Sequence, residues 1–375
     1  MKKIGFSGTL DPITNGHMWV IGEARTMADE VVVLVSHNPF KKPRFSDEER
    51  KAIVEQSLAA RGWTDVSVMI VRGDYTARAA RRHGIDYLIR GLRNTADFDY
   101  ENLIQQANQD VLQGAKTLFV MPPRDLGSVS SSFVRGLIGP VGWHAHVKKF
   151  VPAPAYRALI LDWLERDWQS LWRDTDSATK AAHWFSHLTG EAAYGAPARH
   201  YHGLDHLVHG LSEIAVWGAN SGASADDIDT LKKAFWFHDA VYEPAPSGCS
   251  NEEASAQLWL DAGLDARPDD VAALIRATDH LQAGRIAHPL REVMLGADLA
   301  ILGQPDGVYD DYARAIRMEY AQADDRLYAE RRARVLRHFD ALAAGGALYA
   351  DPYFGALYND AAHTNMAREI ASLAG

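Results

Sequence analysis

The 375-residue chain reads as an α/β domain followed by an all-α domain, and three observations predict this division. Up to about residue 150, short apolar or β-branched runs alternate with stretches of helical period, the pattern of a Rossmann-like, doubly wound parallel sheet of five strands. Beyond Val151-Pro152-Ala153-Pro154 the chain keeps helical periodicity and turn breaks but offers almost no strand candidate. Charge changes in the same region. Residues 1–160 hold 21 Lys+Arg against 16 Asp+Glu, residues 161–375 hold 18 against 33, and 11 of the 16 histidines fall in the second part.

The elements follow in order. IGFSG is the first strand, and helical period from Met18 runs to about Ala28. VVVLVS (31–36) is uninterrupted and β-branched, as a strand buried on both faces should be. The loop NPFKKPRF leads to a helix announced by Ser46 with Asp47, Glu48 and Glu49 behind it, an N-terminal capping pattern. VSVMIV (66–71), a helix near 76–83, YLIRG (87–91), a long helix near 97–113 and TLFVMP (117–122) complete the sheet. Trp163, Trp168 and Trp172 then mark a connecting helix, so the domains are expected to be 1–162 and 163–375.

Composition narrows the classes. The chain is 47% apolar and 23% charged, with no low-complexity tract and no internal repeat. Its one cysteine, Cys249, excludes an internal disulfide and fits a reducing compartment. No apolar run approaches the ~18–20 residues that span a bilayer, and Met1-Lys2-Lys3 is followed by turn formers rather than a signal-peptide core. A cytoplasmic protein without a membrane partner is expected. The acidic second half argues against nucleic acid, whose phosphates demand cationic surface.

Chemistry is expected beyond the carboxyl ends of the strands. GTLDPITNGH (8–17) lies there after the first strand. Gly8 lets a phosphate-bearing ligand approach the backbone, the helix start offers free N–H groups, and His17 one turn in can donate to a phosphate oxygen whose charge grows during transfer. Lys41 and Lys42 follow the second strand, Arg90 and Arg93 the fourth, and SVSSSFVR (128–135) the fifth. Four strand ends thus present phosphate-binding groups.

GTLDPITNGH, KKPRF followed by EER, LIRGLRNTADFDYE and SSSFVR together resemble the bacterial phosphopantetheine adenylyltransferases, nucleotidyltransferases with the T/HxGH signature. The resemblance covers about residues 1–160. It implies transfer of an adenylyl group from ATP, with Mg2+, to 4′-phosphopantetheine, giving dephospho-coenzyme A and pyrophosphate. It also implies site residues: Thr9, Leu10 and His17 at the nucleotide, with His17 stabilising the transition state. Lys41, Thr76 and Arg90, with Thr9, would hold the acceptor. Gly91, Leu92, Arg93, Glu101, Leu126, Gly127, Ser128, Val129, Ser130, Ser131 and Ser132 would complete the ATP site. His17, Lys41 and Arg90 are the implied catalytic groups. Leu10 replaces the family's usual aromatic and Ser7 its usual proline, changes expected to loosen the loop without removing a catalytic group. The family resemblance also implies a homo-oligomer.

The second half carries its own cluster. RHYHGLDHLVHGL (199–211) puts His202, His206 and His209 on one expected helix, with 202 and 206 on one face. AFWFHDAVY sets His238-Asp239 among apolar residues, and LGADLAILG does the same for Asp298. Buried charges of this kind need a partner, and a divalent metal is the economical one. RHYHxxxH, FHDAVY, NEEASA, TDH, ADLAILG and IRMEY resemble the predicted metal-dependent HD-superfamily phosphohydrolases over roughly residues 170–375. That resemblance implies His206, His238, Asp239 and Asp298 as ligands of Mn, Fe, Co, Ni or Zn. By the likeness of YHGLDH to the YHNxxH of cyclic nucleotide phosphodiesterases, His202 would be the proton donor to the leaving group. His280 and Glu252-Glu253 are candidates for a second ion or a substrate, and Arg317, Glu319 and Tyr320 for binding phosphate or bracing the metal helices.

The expectation is therefore a bifunctional enzyme whose hydrolase acts on an unidentified phosphorylated metabolite, by association one near coenzyme A synthesis. The alternative is a nucleotidyltransferase for another phosphate-bearing acceptor, joined to a non-catalytic nucleotide-sensing or oligomerisation module.

Overall fold

Five short apolar runs build a sheet in the first part of the chain, and the first two are buried along their whole interior. β1 (Lys3–Gly8), β2 (Glu30–Ser36), β3 (Val66–Val71), β4 (Tyr87–Gly91) and β5 (Lys116–Val120) pair in parallel in the order β3-β2-β1-β4-β5. The computed structural model describes residues 2–37, 42–93, 95–110, 114–173, 177–243, 248–280 and 286–374. β1 is central, with Ile4 opposite Val31 on one side and Tyr87 on the other. Strand order reverses between β1 and β4, and at such a switch point the connections leave a crevice beyond the strand ends.

Several helices begin where a side chain satisfies a free N–H group. α1 (Asn15–Met27) is capped by Thr14 and starts three residues before the apolar periodicity does. α2 (Asp47–Ala60) has a reciprocal cap, in which Glu49 accepts the Ser46 N–H at 2.7 Å and Ser46 Oγ accepts the Glu49 N–H at 3.3 Å. α3 (Thr76–Arg82), α4 (Thr95–Asp110), α5 (Ser131–Leu137) and α6 (Trp143–Val147) follow. The fourth helix starts two residues before its expected position, and residues 111–113 of that expectation lie outside the described residues.

By internal contacts the chain forms two units, Met1–Leu159 and Ile160–Gly375, and the division falls in α7 (Ala153–Leu171). In the second unit the described regular elements are helical: α8 (Ala178–Thr189), α9 (Leu204–Ser221), α10 (Ala225–Phe237), α11 (Asn251–Ala262), α12 (Pro268–Ala277), α13 (Arg291–Leu299), a 3-10 turn (Ala300–Gly303), α14 (Asp306–Glu319), α15 (Asp325–Ala344) and α16 (Pro352–Leu373). Trp168 packs its ring 5.5 Å from Trp172 and 4.9 Å from Trp236, and its indole N–H donates to the Ala181 carbonyl at 2.9 Å. α9 and α10 pack face to face because Gly210 has no side chain: a Cβ there would stand 1.9 Å from the Phe235 ring. That contact brings the ends of the two helices close enough to share a site.

Candidate active site and candidate metal centre

A cleft of about 480 Å³ opens at the switch point of the sheet. Thr9, Leu10, His17, Arg90, Gly91, Arg93, Glu101, Leu126, Val129, Ser130, Ser131 and Ser132 line it. Of the other expected residues, Leu92, Gly127, Ser128 and Thr76 are not among its lining, and Thr76 is the first residue of α3. Lys41 lies outside the described residues; its neighbour Lys42 lines the cleft.

His17 is the third residue of α1, and its ring is oriented by the helix cap. The Thr14 N–H donates to His17 Nδ1 at 3.0 Å, while the His17 N–H donates to Thr14 Oγ1 at 3.4 Å. With Nδ1 accepting, the neutral ring carries its proton on Nε2 as a donor. Burial, and then the charges of Arg90 and Arg93, push its pKa down to about 4. The site therefore holds a neutral imidazole at pH 7, suited to donating a hydrogen bond. Gly16 permits the close fit of this turn, since a Cβ there would lie 3.3 Å from the Val129 carbonyl oxygen.

Arg90 is held on two sides. Its Nε and Nη2 donate to both oxygens of Glu101, at 2.9 and 2.5 Å, and Nη1 donates to the Ser7 carbonyl at 2.5 Å. Arg93 forms a bidentate pair with Asp97 at 2.7 and 3.0 Å, which holds the Asp97 carboxyl below the usual range. Ser131 Oγ donates to the Pro12 carbonyl at 2.8 Å, tying the start of α5 to the first loop. Leu10 is buried at 2% exposure, with φ at 52°, a left-handed backbone that side chains other than Gly adopt at a cost. Ser7 offers Arg90 its carbonyl, and its hydroxyl lies 3.4 Å from Nη1.

In the second unit, His206 on α9, His238 and Asp239 at the end of α10, and Asp298 on α13 converge. His206 Nε2 lies 3.0 Å from His238 Nε2, and Asp298 Oδ1 lies 3.4 Å from each. Asp239 Oδ2 is 3.2 Å from His238 Nε2 and 3.6 Å from His206 Nε2. One helix expectation needs correction here. α9 begins at Leu204 after the Gly203 cap, so His202 precedes the helix. α10 ends at Phe237, with His238 as its cap, so the His-Asp pair sits at a helix end, where its backbone is freer to turn.

His206, His238 and Asp239 each offer one ligand atom, all within 4.8 Å of one another, a set that fits a divalent cation. Ligand atoms about 2.1 Å from one ion stand roughly 3.0–3.4 Å apart, close to the separations seen. His238 Nδ1 lies 2.8 Å from the Phe235 carbonyl, a contact that needs Nδ1–H and turns Nε2 toward the cluster. Burial lowers the His206 pKa. Burial also opposes charge on His238, but the Asp239 and Asp298 carboxylates outweigh it and raise its pKa. The buried His206 Nδ1 has no hydrogen-bond partner among the described residues.

Around this cluster stand groups that brace it. His202 Nδ1 is 2.6 Å from Glu319 Oε2, and Glu319 Oε1 accepts the N–H groups of Tyr201 (2.7 Å) and His202 (2.9 Å). The His202 ring stacks on Tyr242 at 4.0 Å. Glu319 therefore orients the His202 ring and holds the segment that enters α9. Arg199 donates to the Asp239 carbonyl at 2.6 Å and the Ala240 carbonyl at 2.9 Å, contacts that one-dimensional pattern does not reveal. His280 Nε2 lies 3.2 Å from Asp298 Oδ2. Glu253 instead pairs with Arg276, and His209 faces Glu213 at 3.6 Å.

The first unit's fold and cleft define a nucleotidyltransferase of the cytidylyltransferase-like class, whose family model matches residues 6–137. Narrower relatives agree. A phosphopantetheine adenylyltransferase of Chromobacterium violaceum is 37% identical over 160 residues, 43% of this chain and 96% of that protein. Those of Neisseria meningitidis serogroup B (31%, 43% of this chain, 94% of the relative) and Lacticaseibacillus paracasei (38%, 42% and 92%) are similar in the same measure. Through this region the chain belongs to the phosphopantetheine adenylyltransferase family. No helix among the described residues is long and apolar enough to cross a membrane.

Proposed function

We propose that the chain is a bifunctional enzyme whose first unit transfers an adenylyl group from ATP to 4′-phosphopantetheine. The observation that carries this reading is a neutral, Nε2–H-donating His17 sharing the switch-point cleft with Arg90 and Arg93. A phosphate oxygen of the acceptor attacks the α-phosphorus of ATP, the bond to the bridging oxygen of the β-phosphate breaks, and pyrophosphate leaves. The nucleophile is already ionised, so no general base is needed, and positioning with charge neutralisation carries the rate. His17 donates to the α-phosphoryl oxygens as their charge grows, while Arg90, and Lys41 by family resemblance, hold the acceptor phosphate. The ATP side is formed by Thr9, Leu10, Gly91, Leu92, Arg93, Glu101, Leu126, Gly127, Ser128, Val129, Ser130, Ser131 and Ser132, with Mg2+ accompanying the nucleotide. Thr76 and Thr9 complete the acceptor side in the same resemblance.

The experiment is pyrophosphate release by the full chain with ATP, Mg2+ and 4′-phosphopantetheine. Release dependent on both substrates is expected. No release with this acceptor, but release with another phosphate-bearing compound, would overturn the choice of substrate.

For the second unit, the reading is an HD-type phosphohydrolase, supported by the convergence of His206, His238, Asp239 and Asp298. These residues would hold one divalent transition ion, which supplies Lewis-acid polarisation of a phosphoryl oxygen and an acidified water. Glu319 fixes the His202 ring through Nδ1, leaving Nε2 to carry a proton to the leaving oxygen. Metal analysis beside a phosphatase screen of wild type, Asp239→Ala and His202→Ala tests this. Loss of metal with Asp239→Ala, and of activity with either, is expected. Metal-free protein without Asp239-dependent hydrolysis would favour a nucleotide-sensing or oligomerisation module.

A further inference from the structure

Asp11 sits in the loop after β1 at 2% exposure. Its Oδ2 accepts the main-chain N–H of Arg44 at 2.8 Å, and its Oδ1 accepts that of Phe45 at 3.1 Å. One side chain of the first loop thus holds two consecutive amides of the loop that follows β2. Arg135 of α5 donates to the Asp11 carbonyl and lies 3.4 Å from its Oδ2. Arg50 on α2 ties the same loops from beneath at 0% exposure. Its guanidinium donates to the carbonyls of Thr9, Ser36 (3.1 Å) and Phe45 (3.3 Å), and pairs with Asp47. A buried carboxylate and a buried guanidinium are each costly unless fully partnered. Here the partners are chiefly main-chain groups of two loops that meet at the cleft.

We infer that Asp11 and Arg50 are positioning residues that lock segment 42–45 against segment 9–11. Segment 42–45 brings Lys42 and Pro43 to the cleft wall, and segment 9–11 brings Thr9 and Leu10. The inference rests on the transferase reading for one point only, that the β2-side segment serves the acceptor phosphate while α1 and residues 126–132 serve the nucleotide. Asparagine at position 11 keeps the size but presents one NH2 to an N–H, so one of the two amides loses its acceptor. The arm is then released while the nucleotide side stays built.

The test compares wild type with Asp11→Asn and with Arg50→Lys, which keeps the charge but loses the planar fork. Amide exchange at Arg44 and Phe45 should quicken by about tenfold or more in Asp11→Asn, with the amides of β2 unchanged. The KM for 4′-phosphopantetheine should rise by about tenfold or more, and that for ATP by less than about threefold. Arg50→Lys should move the same two readouts in the same direction, and it stands in if Asp11→Asn does not fold. Unchanged protection at Arg44 and Phe45, or an equal rise in both KM values with loss of β2 protection, would overturn the inference. Wild type inactive on this acceptor would overturn the substrate reading instead, and amide exchange would still report on the brace.

Discussion

Thr14 and His17 close a reciprocal hydrogen-bonded ring at the mouth of α1, N–H to Nδ1 at 3.0 Å and N–H to Oγ1 at 3.4 Å. The helix cap and the orientation of the His17 imidazole are thus one structure. His17→Ala should lower kcat by about 10²–10³ with a small change in the ATP KM, as expected of a donor used mainly in the transition state. Steady-state pyrophosphate release checks it.

The same ring bears on pH. Because burial and two arginines push His17 down to about 4, it stays neutral well below the usual histidine range. Its contribution to stability is present above pH 6.5 and is lost as pH falls through 4, since the unfolded chain takes up the proton first. NMR titration should find no ring shift for His17 between pH 5.5 and 8 in the ligand-free protein.

Arg90 is aimed by Glu101 and the Ser7 carbonyl. Lysine cannot make these contacts together because its ammonium lacks the planar fork. Arg90→Lys should therefore lower kcat/KM for the acceptor by about 10² or more while the melting temperature stays within a few degrees.

His206 Nε2 and His238 Nε2 stand 3.0 Å apart; burial opposes charge on His238, but the Asp239 and Asp298 carboxylates outweigh it and raise its pKa. Binding of a divalent ion should release about one proton per ion near pH 7, measured as a buffer dependence of the calorimetric enthalpy. Chelation of the loaded protein should lower its melting temperature, because the ion binds the folded state.

Glu213 is fully buried on α9 and accepts a hydrogen bond from the Tyr358 hydroxyl at 2.7 Å. Burial pushes its pKa up to about 7. The stability it contributes is full below its unfolded value and is lost as pH rises through 7. Glu213→Gln should melt several degrees above wild type at pH 8 and level with it at pH 5.

Gly210→Ala places a methyl into the Phe235 ring, which itself packs 4.4 Å from His238 and 5.3 Å from His206. Overpacking should cost about 1–3 kcal/mol in thermal or urea unfolding and disturb the His206–His238 contact with it.

Much of this was legible in one dimension. Uninterrupted β-branched runs specify buried parallel strands, and Ser46 with Glu49 specifies a helix start, because both depend on neighbours in sequence. His238, Asp239 and Asp298 stood out because ionisable groups in apolar surroundings need partners, and His206 through the family resemblance. The tertiary structure decided which residues meet. Asp11 reads as a turn former, yet it reaches the amides of Arg44 and Phe45. Glu319 lies more than a hundred positions from His202, yet it aims that ring. Sequence periodicity reports which face of an element is buried; it carries no distance between loops and helix ends far apart in the chain. Those distances are fixed only when the sheet and helices pack.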